Sequence, residues 1–258
     1  MQAFFCFLIC LIATTVGGIS GVGGGVVIKP VLDAVSGMGV AAISFLSGVT
    51  VLAMTLTSLI RSRGGPVNIE RRRGTLLAVG AVVGGLLGKQ IFELVLEAGG
   101  SLVSISQQVM MIVLTLGVLI YTLRKDKIHT LNVEYSWACL LIGLVLGLLS
   151  AFLGIGGGPI NLALLYFFFS MDSKTAALNS LYIIFFSQAA SLISAFIGGS
   201  VPQVSVVVML VMMLGGILGG NLSRSLSARM SNKGVDKLFL CLLIFIIATS
   251  VYNLLKLI

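Results

Sequence analysis

The sequence predicts an all-α, polytopic membrane protein made of two inverted repeats, each with a glycine-broken, re-entrant helical hairpin and three transmembrane helices. The composition, a duplicated glycine element and an uneven distribution of Lys and Arg together predict it. Of the 258 residues, 58% are hydrophobic and 9% are charged, too few charges to cover a soluble surface. We expect a single transmembrane domain over residues 1–258, with repeats of about 1–130 and 131–258.

Six apolar runs are long enough for a full membrane crossing. They cover residues 40–60, 75–96, 102–123, 175–197, 204–223 and 235–255. The N-terminal sequence MQAFFCFLIC has no basic region and no cleavage motif, which favours a membrane segment over a signal peptide. The cysteines lie in apolar runs without a CxxC motif, so we interpret them as packing residues.

Two further apolar regions are interrupted by glycines. Residues 4–36 contain GGISGVGGG at 17–25, and residues 135–170 contain GIGGGP at 154–159. A straight helix over the first region would be roughly 50 Å long, against a membrane core of roughly 30 Å, and two crossings would need about 40 residues. The flanks 4–16 and 26–36 each suit a half-crossing. Each region is therefore either one broken, oblique span or a re-entrant hairpin.

An internal repeat connects the two broken regions. A shift of 133 residues places GVGGG at 21–25 on GIGGG at 154–158, Ser47 on Ser180 and Ser58 on Ser191. A shift of 131 places GGLLG at 84–88 on GGILG at 215–219. The order of broken segment, serine-bearing helix, glycine-bearing helix and final helix is the same in both halves, which predicts a duplicated unit.

The positive charges favour the hairpin. Most Lys and Arg fall into three clusters in loops, which argues against a nucleic-acid-binding face. The clusters comprise Arg61, Arg63, Arg71, Arg72 and Arg73; Arg124, Lys125 and Lys127; and Arg224, Arg229, Lys233 and Lys237. If the broken regions are hairpins, all three lie on one side, the cytoplasm, and the loops around Gly99 and Gly199 on the other side carry no Lys or Arg. Three crossings per half also make the halves inverted.

The glycine breaks are the predicted binding site. A break within the bilayer exposes backbone groups that protein, water or a ligand must satisfy, and the helices that restart after it direct their positive N-termini inward. Pro159 suits the first turn of the second restart. We expect a site for a small anion, although glycines can also merely permit close helix packing. The candidate residues are Gly23, Gly24, Gly25, Gly156, Gly157, Gly158, Ser47, Asn161, Asn179, Ser180 and Gln188.

Polar stripes accompany the breaks. Ser47, Thr55 and Ser58 share one helical face, as do their equivalents Ser180, Gln188 and Ser191. Such hydroxyls either bind a ligand or bond to their own helix.

Charged residues also occur within the apolar runs. Lys29 either attracts an anion or extends to the interface together with Asp33, and Lys89 is spaced to pair with Glu93.

Enzyme motifs fail on inspection. GISG at 18–21 resembles the nucleophile motif of rhomboid proteases, but the one histidine, His129, lies in a loop, so Ser20 has no base. Neither a dinucleotide-binding motif nor a P-loop is present, because Lys89 is followed by Gln90. We expect no enzymatic activity, no cofactor and no metal, and transport driven by a gradient.

The glycine element GxGGG near the N-terminus, repeated halfway along a chain of this length, resembles the sulfite exporter TauE/SafE family. The resemblance covers nearly the whole chain and implies secondary transport of small sulfur-containing anions across a cell membrane. Many members have a proline after the first glycine element too, whereas Val26 follows Gly25 here, so the two half-sites need not contribute equally.

The expected function is therefore a secondary transporter, an exporter, of sulfite, thiosulfate or sulfonates, with alternating access around a site at the membrane midplane. Uptake of another small anion and an anion channel are the alternatives. The expected partners are the small anionic substrate and the lipid bilayer, without nucleic acid. Homo-oligomerisation stays open.

Overall fold

The computed structural model describes residues 2–64, 67, 69–99, 101–153 and 157–257. Within them the chain is helical and contains no strand. The helices are α1 (Gln2–Ser20), α2 (Gly25–Val35), α3 (Val40–Ser62), α4 (Arg71–Gly99), α5 (Ser101–Arg124), α6 (Ser136–Leu153), α7 (Gly158–Phe169), α8 (Ser173–Ile197), α9 (Val206–Arg229) and α10 (Asn232–Leu257). A single 3₁₀ turn, Lys125–Lys127, follows α5.

All six predicted crossings are confirmed as helices, namely α3, α4, α5, α8, α9 and α10. Among the described residues, seven helices are long and apolar enough to cross a membrane, and the seventh is α1. The half-crossing expected at 4–16 is too short, because Gly17 and Gly18 stay helical and α1 continues to Ser20. These glycines allow close contact, since a Cβ on Gly18 would lie 2.7 Å from the Cβ of Ser223.

The first broken region is a helical hairpin, not an oblique span. The Gly23 N–H donates to the Gly17 carbonyl (3.1 Å), which turns the chain back at the end of α1. The returning helix α2 then packs Ile28 and Leu32 into one cluster with Cys10 of α1. Cysteine therefore serves as a packing residue here, as expected.

The second region folds back in the same way. The start of α7 lies beside α6, since a Cβ on Gly157 would be 2.8 Å from Ser150 Oγ. At the other end of the hairpin, the Leu131 N–H donates to the Phe167 carbonyl (2.7 Å), which joins the segment before α6 to the end of α7. Both broken regions are thus hairpins, as the charge pattern indicated.

Equivalent helices of the two repeats are antiparallel. Phe45 near the start of α3 contacts Phe196 near the end of α8, with ring centroids 5.9 Å apart. Val51 and Ile184, which are equivalent positions, share one buried cluster at the middle of both helices. Lys125, just after α5, lies 2.7 Å from Asp236 near the start of α10. This arrangement is consistent with the predicted inverted repeats.

The glycine-bearing helices exchange partners between repeats. α4 packs on α6 of the second repeat, where a Cβ on Gly84 would overlap the Leu144 carbonyl oxygen. α9 packs on α1 of the first repeat, where a Cβ on Gly215 would lie 3.0 Å from the Phe7 carbonyl oxygen. The duplicated GGxLG elements therefore bring helix backbones together across the repeats.

Candidate functional site

The tips of the two hairpins meet at one point. A Cβ on Gly158 would overlap the Val22 carbonyl oxygen, so the start of α7 touches the first glycine break directly. Gly21, with a positive φ of 78°, lies equally close to Ala177 of α8. The Ser180 hydroxyl donates to the Gly21 carbonyl oxygen (2.7 Å) and joins α8 to the same break.

Two helix N-termini are brought together at this junction. α2 begins at Gly25 after Gly24, and α7 begins at Gly158 after Gly157, with Pro159 in its first turn. The N-cap residues of the two helices are Gly24 and Gly157, which have no side chain that could cap the helix. The positive ends of both helix dipoles therefore lie near this junction, an arrangement that stabilises negative charge.

A cavity of about 30 Å³, here called the inner cavity, lies beside the first hairpin tip between α3 and α8. Its lining includes the glycines Gly23 and Gly25 and the polar side chains of Lys29, Ser44, Ser47 and Gln188. The Ser47 hydroxyl oxygen is buried and has no hydrogen-bond partner among the described residues. A buried hydroxyl without a partner is costly, and a bound ligand or water would relieve that cost.

A larger cavity of about 380 Å³, the outer cavity, adjoins the inner one and shares Lys29, Ser44, Gly48 and Gln188 with it. Additional polar side chains line it, namely Lys89, Ser150, Asn161, Ser187 and Ser191. It extends to Ser200 and Pro202 in the loop between α8 and α9. That loop belongs to the end of the molecule opposite the three basic clusters, so the described conformation is open on the non-basic side.

Part of the predicted site is brought together. Gly23, Gly25, Ser47 and Gln188 line the inner cavity, and Asn161 lines the outer one. The residues on the serine-bearing face of α8 therefore have different roles: Gln188 and Ser191 line cavities, whereas Ser180 is bonded to Gly21.

The remaining glycines pack the hairpins. A Cβ on Gly24 would lie 2.7 Å from Thr14 Cγ2 of α1, and one on Gly157 would meet Ser150. Gly157 also has a φ of 73°, a conformation that side chains with a Cβ rarely adopt. A side chain at these positions would thus disturb the hairpins rather than only exclude a ligand. Gly156 lies outside the described residues.

Asn179 lies apart from both cavities. Its side-chain oxygen accepts the Glu70 N–H (3.1 Å), and its side-chain nitrogen donates to the Thr175 carbonyl (2.9 Å). The residue ties the segment before α4 to α8.

Thr55 and Ser58 are also directed to backbone groups. Thr55 donates to the Val51 carbonyl (2.9 Å), and Ser58 lies 3.4 Å from the Gly220 carbonyl oxygen. Of the two roles considered for the serine and threonine hydroxyls, these two residues of α3 therefore have the second, a hydrogen bond to the backbone.

Sequence reasoning left the role of Lys29 open, and the structure places it in the lining of both cavities. The signal in the sequence for this role is its position one helical turn after Gly25, because residues four apart lie on the same face of a helix. Lys89 also lines the outer cavity. The side chain of its expected partner Glu93 lies outside what the structure describes.

The chain matches the family described as "Sulfite exporter TauE/SafE" over residues 6–250. A Bacillus subtilis (strain 168) protein described as "Probable membrane transporter protein YunE" is 25% identical over 224 residues, covering 74% of this chain and 77% of that protein. No solved structure matches the chain significantly. Because the family match covers nearly the whole chain, the resemblance seen in the sequence is confirmed, and this protein belongs to the TauE/SafE sulfite exporter family of multi-pass membrane transporters.

Proposed function

We propose that this protein is a secondary transporter that exports small sulfur-containing oxyanions, of the sulfite, thiosulfate or sulfonate type, by alternating access around the inner cavity. The family description supports the substrate class. The observation that carries the proposal is the junction of two helix N-termini beside a buried Ser47 hydroxyl that has no partner among the described residues.

The chemistry of the inner cavity suits an anion. Lys29 supplies a positive charge, and Ser47 and Gln188 supply neutral donors that replace part of a hydration shell. The glycines at 23 and 25 let a ligand approach the backbone because they have no side chain in the way. An oxyanion would thus exchange part of its hydration shell for several neutral hydrogen-bond donors, which bind it weakly enough to release it from the site.

The size of the inner cavity favours a small substrate. A volume of about 30 Å³ holds roughly two water molecules. A sulfite group has four heavy atoms, so it would fill the inner cavity and reach into the outer cavity of about 380 Å³, where the organic part of a sulfonate would also lie.

One-sided access supports a transporter over an anion channel. The outer cavity reaches the inner one from the non-basic side. Toward the basic side, the tip of the first hairpin is covered by Ala177 and Ser180 of α8 and by Gly158 of α7. A channel needs a continuous path, whereas a transporter opens to one side at a time.

The test uses the purified full-length protein. Its melting temperature is expected to rise with sulfite or thiosulfate and to stay unchanged with chloride of equal ionic strength, because a ligand that binds only the native state stabilises it. In proteoliposomes, a gradient of unlabelled thiosulfate should drive accumulation of labelled thiosulfate. Stabilisation by acetate alone, or flux without this countertransport, would overturn the substrate class or the transporter mechanism respectively.

A further inference from the structure

We infer that a second, closed pathway runs from the inner cavity to the basic end of the molecule between α3 and α9, and that Ser58, Ser62, Ser223 and Ser227 line it when it opens. The inference rests on the proposed function and names the route that alternating access requires.

The repeat predicts where this route lies. A shift of 133 residues maps Lys29, Ser44 and Gly48 of the outer cavity onto Leu162, Ala177 and Leu181. The same shift in reverse maps Ser187, Gln188 and Ser191 onto Met54, Thr55 and Ser58. All six counterparts are buried. One half of the duplicated arrangement therefore surrounds a cavity while its counterpart is packed.

A pair of equivalent glycines shows the same contrast in distances. Gly85 of α4 has room, because a Cβ built on it would have its nearest neighbour at 4.0 Å, the Gly147 carbonyl oxygen. Its equivalent Gly216 of α9 has none, since a Cβ there would lie 2.6 Å from the Thr50 carbonyl oxygen of α3. Between α3 and α9, the counterpart of the outer cavity is closed by direct backbone contact.

Hydroxyls lie where α9 meets α3 and α1, since Ser58 is 3.4 Å from the Gly220 carbonyl oxygen and Ser223 packs on Gly18. Ser58 and Ser62 share a face of α3, and Ser223 and Ser227 share a face of α9, each pair spaced by four residues. All four are buried. In the closed state these hydroxyls reach backbone carbonyls, as in Ser62 to Ser58 (2.6 Å) and Ser223 to Gly220 (2.8 Å). Once the helices separate, the same hydroxyls can bind water or an oxyanion.

The route would lead into positive charge. Ser62 is flanked by Arg61 and Arg63, and the half-buried Arg224 follows Ser223 directly. Cations at the mouth of a narrow pathway raise the local concentration of anions. The expected substrate is therefore a small oxyanion. It would pass first the arginines, then the hydroxyls, and then reach the glycine junction.

Cysteine accessibility tests the route in full-length protein carrying Cys241→Ser, reconstituted in nanodiscs. Ser58→Cys and Ser223→Cys are compared with Leu56→Cys and Leu222→Cys, whose native side chains are 45% and 46% exposed on the outer faces of the same helices. The probe is methanethiosulfonate ethylsulfonate, an anionic reagent that modifies thiolates in contact with water. We expect the two serine positions to react at least about tenfold faster than the leucine positions, which face lipid.

Equal rates at all four positions would overturn the pathway, and Ser62→Cys and Ser227→Cys provide the same comparison if a first variant does not fold. The labelling needs no substrate, so its outcome is separate from the transport assay. Fast labelling without thiosulfate transport would retain the pathway and reject the substrate, whereas thiosulfate transport without labelling would reject the pathway alone.

Discussion

Two equivalent pairs of helices use the same pattern with opposite results: α4 and α8 border the outer cavity, whereas their counterparts α9 and α3 are packed directly on each other. The equivalent positions differ in size and polarity. Lys29, Gly48 and Ser187 line the cavity, whereas their counterparts Leu162, Leu181 and Met54 are buried. Apolar side chains fill the closed interface, and their burial from water stabilises it.

The asymmetry of the described conformation is already present in the side chains. An ideal duplication would open equally well to both sides. Here the apolar counterparts favour closure at the basic end, and the ion pair of Lys125 with Asp236 (2.7 Å) joins the two repeats there.

The largest effect is expected where the halves touch. Gly158→Val places a side chain against the Val22 carbonyl, and because backbone cannot shift easily, we expect a loss of about 3 kcal/mol or more in stability. Gly117→Val in α5 is the matched control, since a Cβ there meets nothing within 4 Å. Melting temperatures in detergent measure both. Equal stability of the two variants would show that the hairpin tips are not in contact.

The next effect separates the inner from the outer cavity. Lys29→Gln removes a charge that lines both, and we expect the Kd for sulfite to rise roughly 10- to 100-fold, the effect of losing a charged hydrogen bond of about 1.5–3 kcal/mol. Lys89→Gln is the control, because Lys89 lines only the outer of these two cavities. Titration calorimetry measures both variants, and an equal loss in each would place the anion in the outer cavity instead.

A smaller effect is expected at the tie that holds the basic end closed. Lys125 of the first repeat donates to Asp236 (2.7 Å) and to Ser173 (2.9 Å) of the second, and both charged side chains are only 18% exposed. Asp236→Asn should weaken this tie by about 1.5 kcal/mol and raise the open population roughly tenfold. The modification rate of Ser62→Cys reports the opening.

Glu134→Gln is the control for this tie, since Glu134 is largely exposed and lies 3.6 Å from Arg73. Exposed pairs contribute little. If Asp236→Asn leaves the modification rate of Ser62→Cys unchanged, the tie does not govern access.

Much of the fold could be predicted because length and charge leave few solutions. A glycine-broken run too short for two crossings had to fold back or cross obliquely, and the loop charges favoured the hairpin that is found. The end of α1 was misplaced because glycine disfavours a helix locally, whereas packing of Gly18 against Ser223 keeps it helical. Tertiary contact outweighed local propensity.

The site was predictable in its position but not in its details. Gly23, Gly25, Ser47 and Gln188 follow from the break and the helix after it. Gly24 and Asn179 lie outside the lining of both cavities, because neighbouring residues on a turn or helix point in different directions and the packing of the hairpins decides which of them face the cavities. The role of Lys29 depended in the same way on the rotation of α2.

The smallest and most direct comparison uses the equivalent serines Ser47 and Ser180. Ser180→Ala leaves the Gly21 carbonyl without its donor, so the protein should lose about 1 kcal/mol of stability. Ser47→Ala removes a buried hydroxyl that has no partner among the described residues, so stability should stay the same or rise. A bound oxyanion would instead lose a donor, and its Kd should rise roughly fivefold.

Melting temperature and the Kd for sulfite, measured on both variants, separate the two roles. Because the residues are equivalent in the repeat and undergo the same substitution, each serves as the control for the other. A fall in melting temperature for Ser47→Ala without a change in Kd would show that its hydroxyl serves packing, as that of Ser180 does. A higher Kd for Ser47→Ala together with a lower melting temperature for Ser180→Ala would show different roles. The first repeat would then supply a donor to the ligand, and the second would supply a hydrogen bond that supports the hairpin.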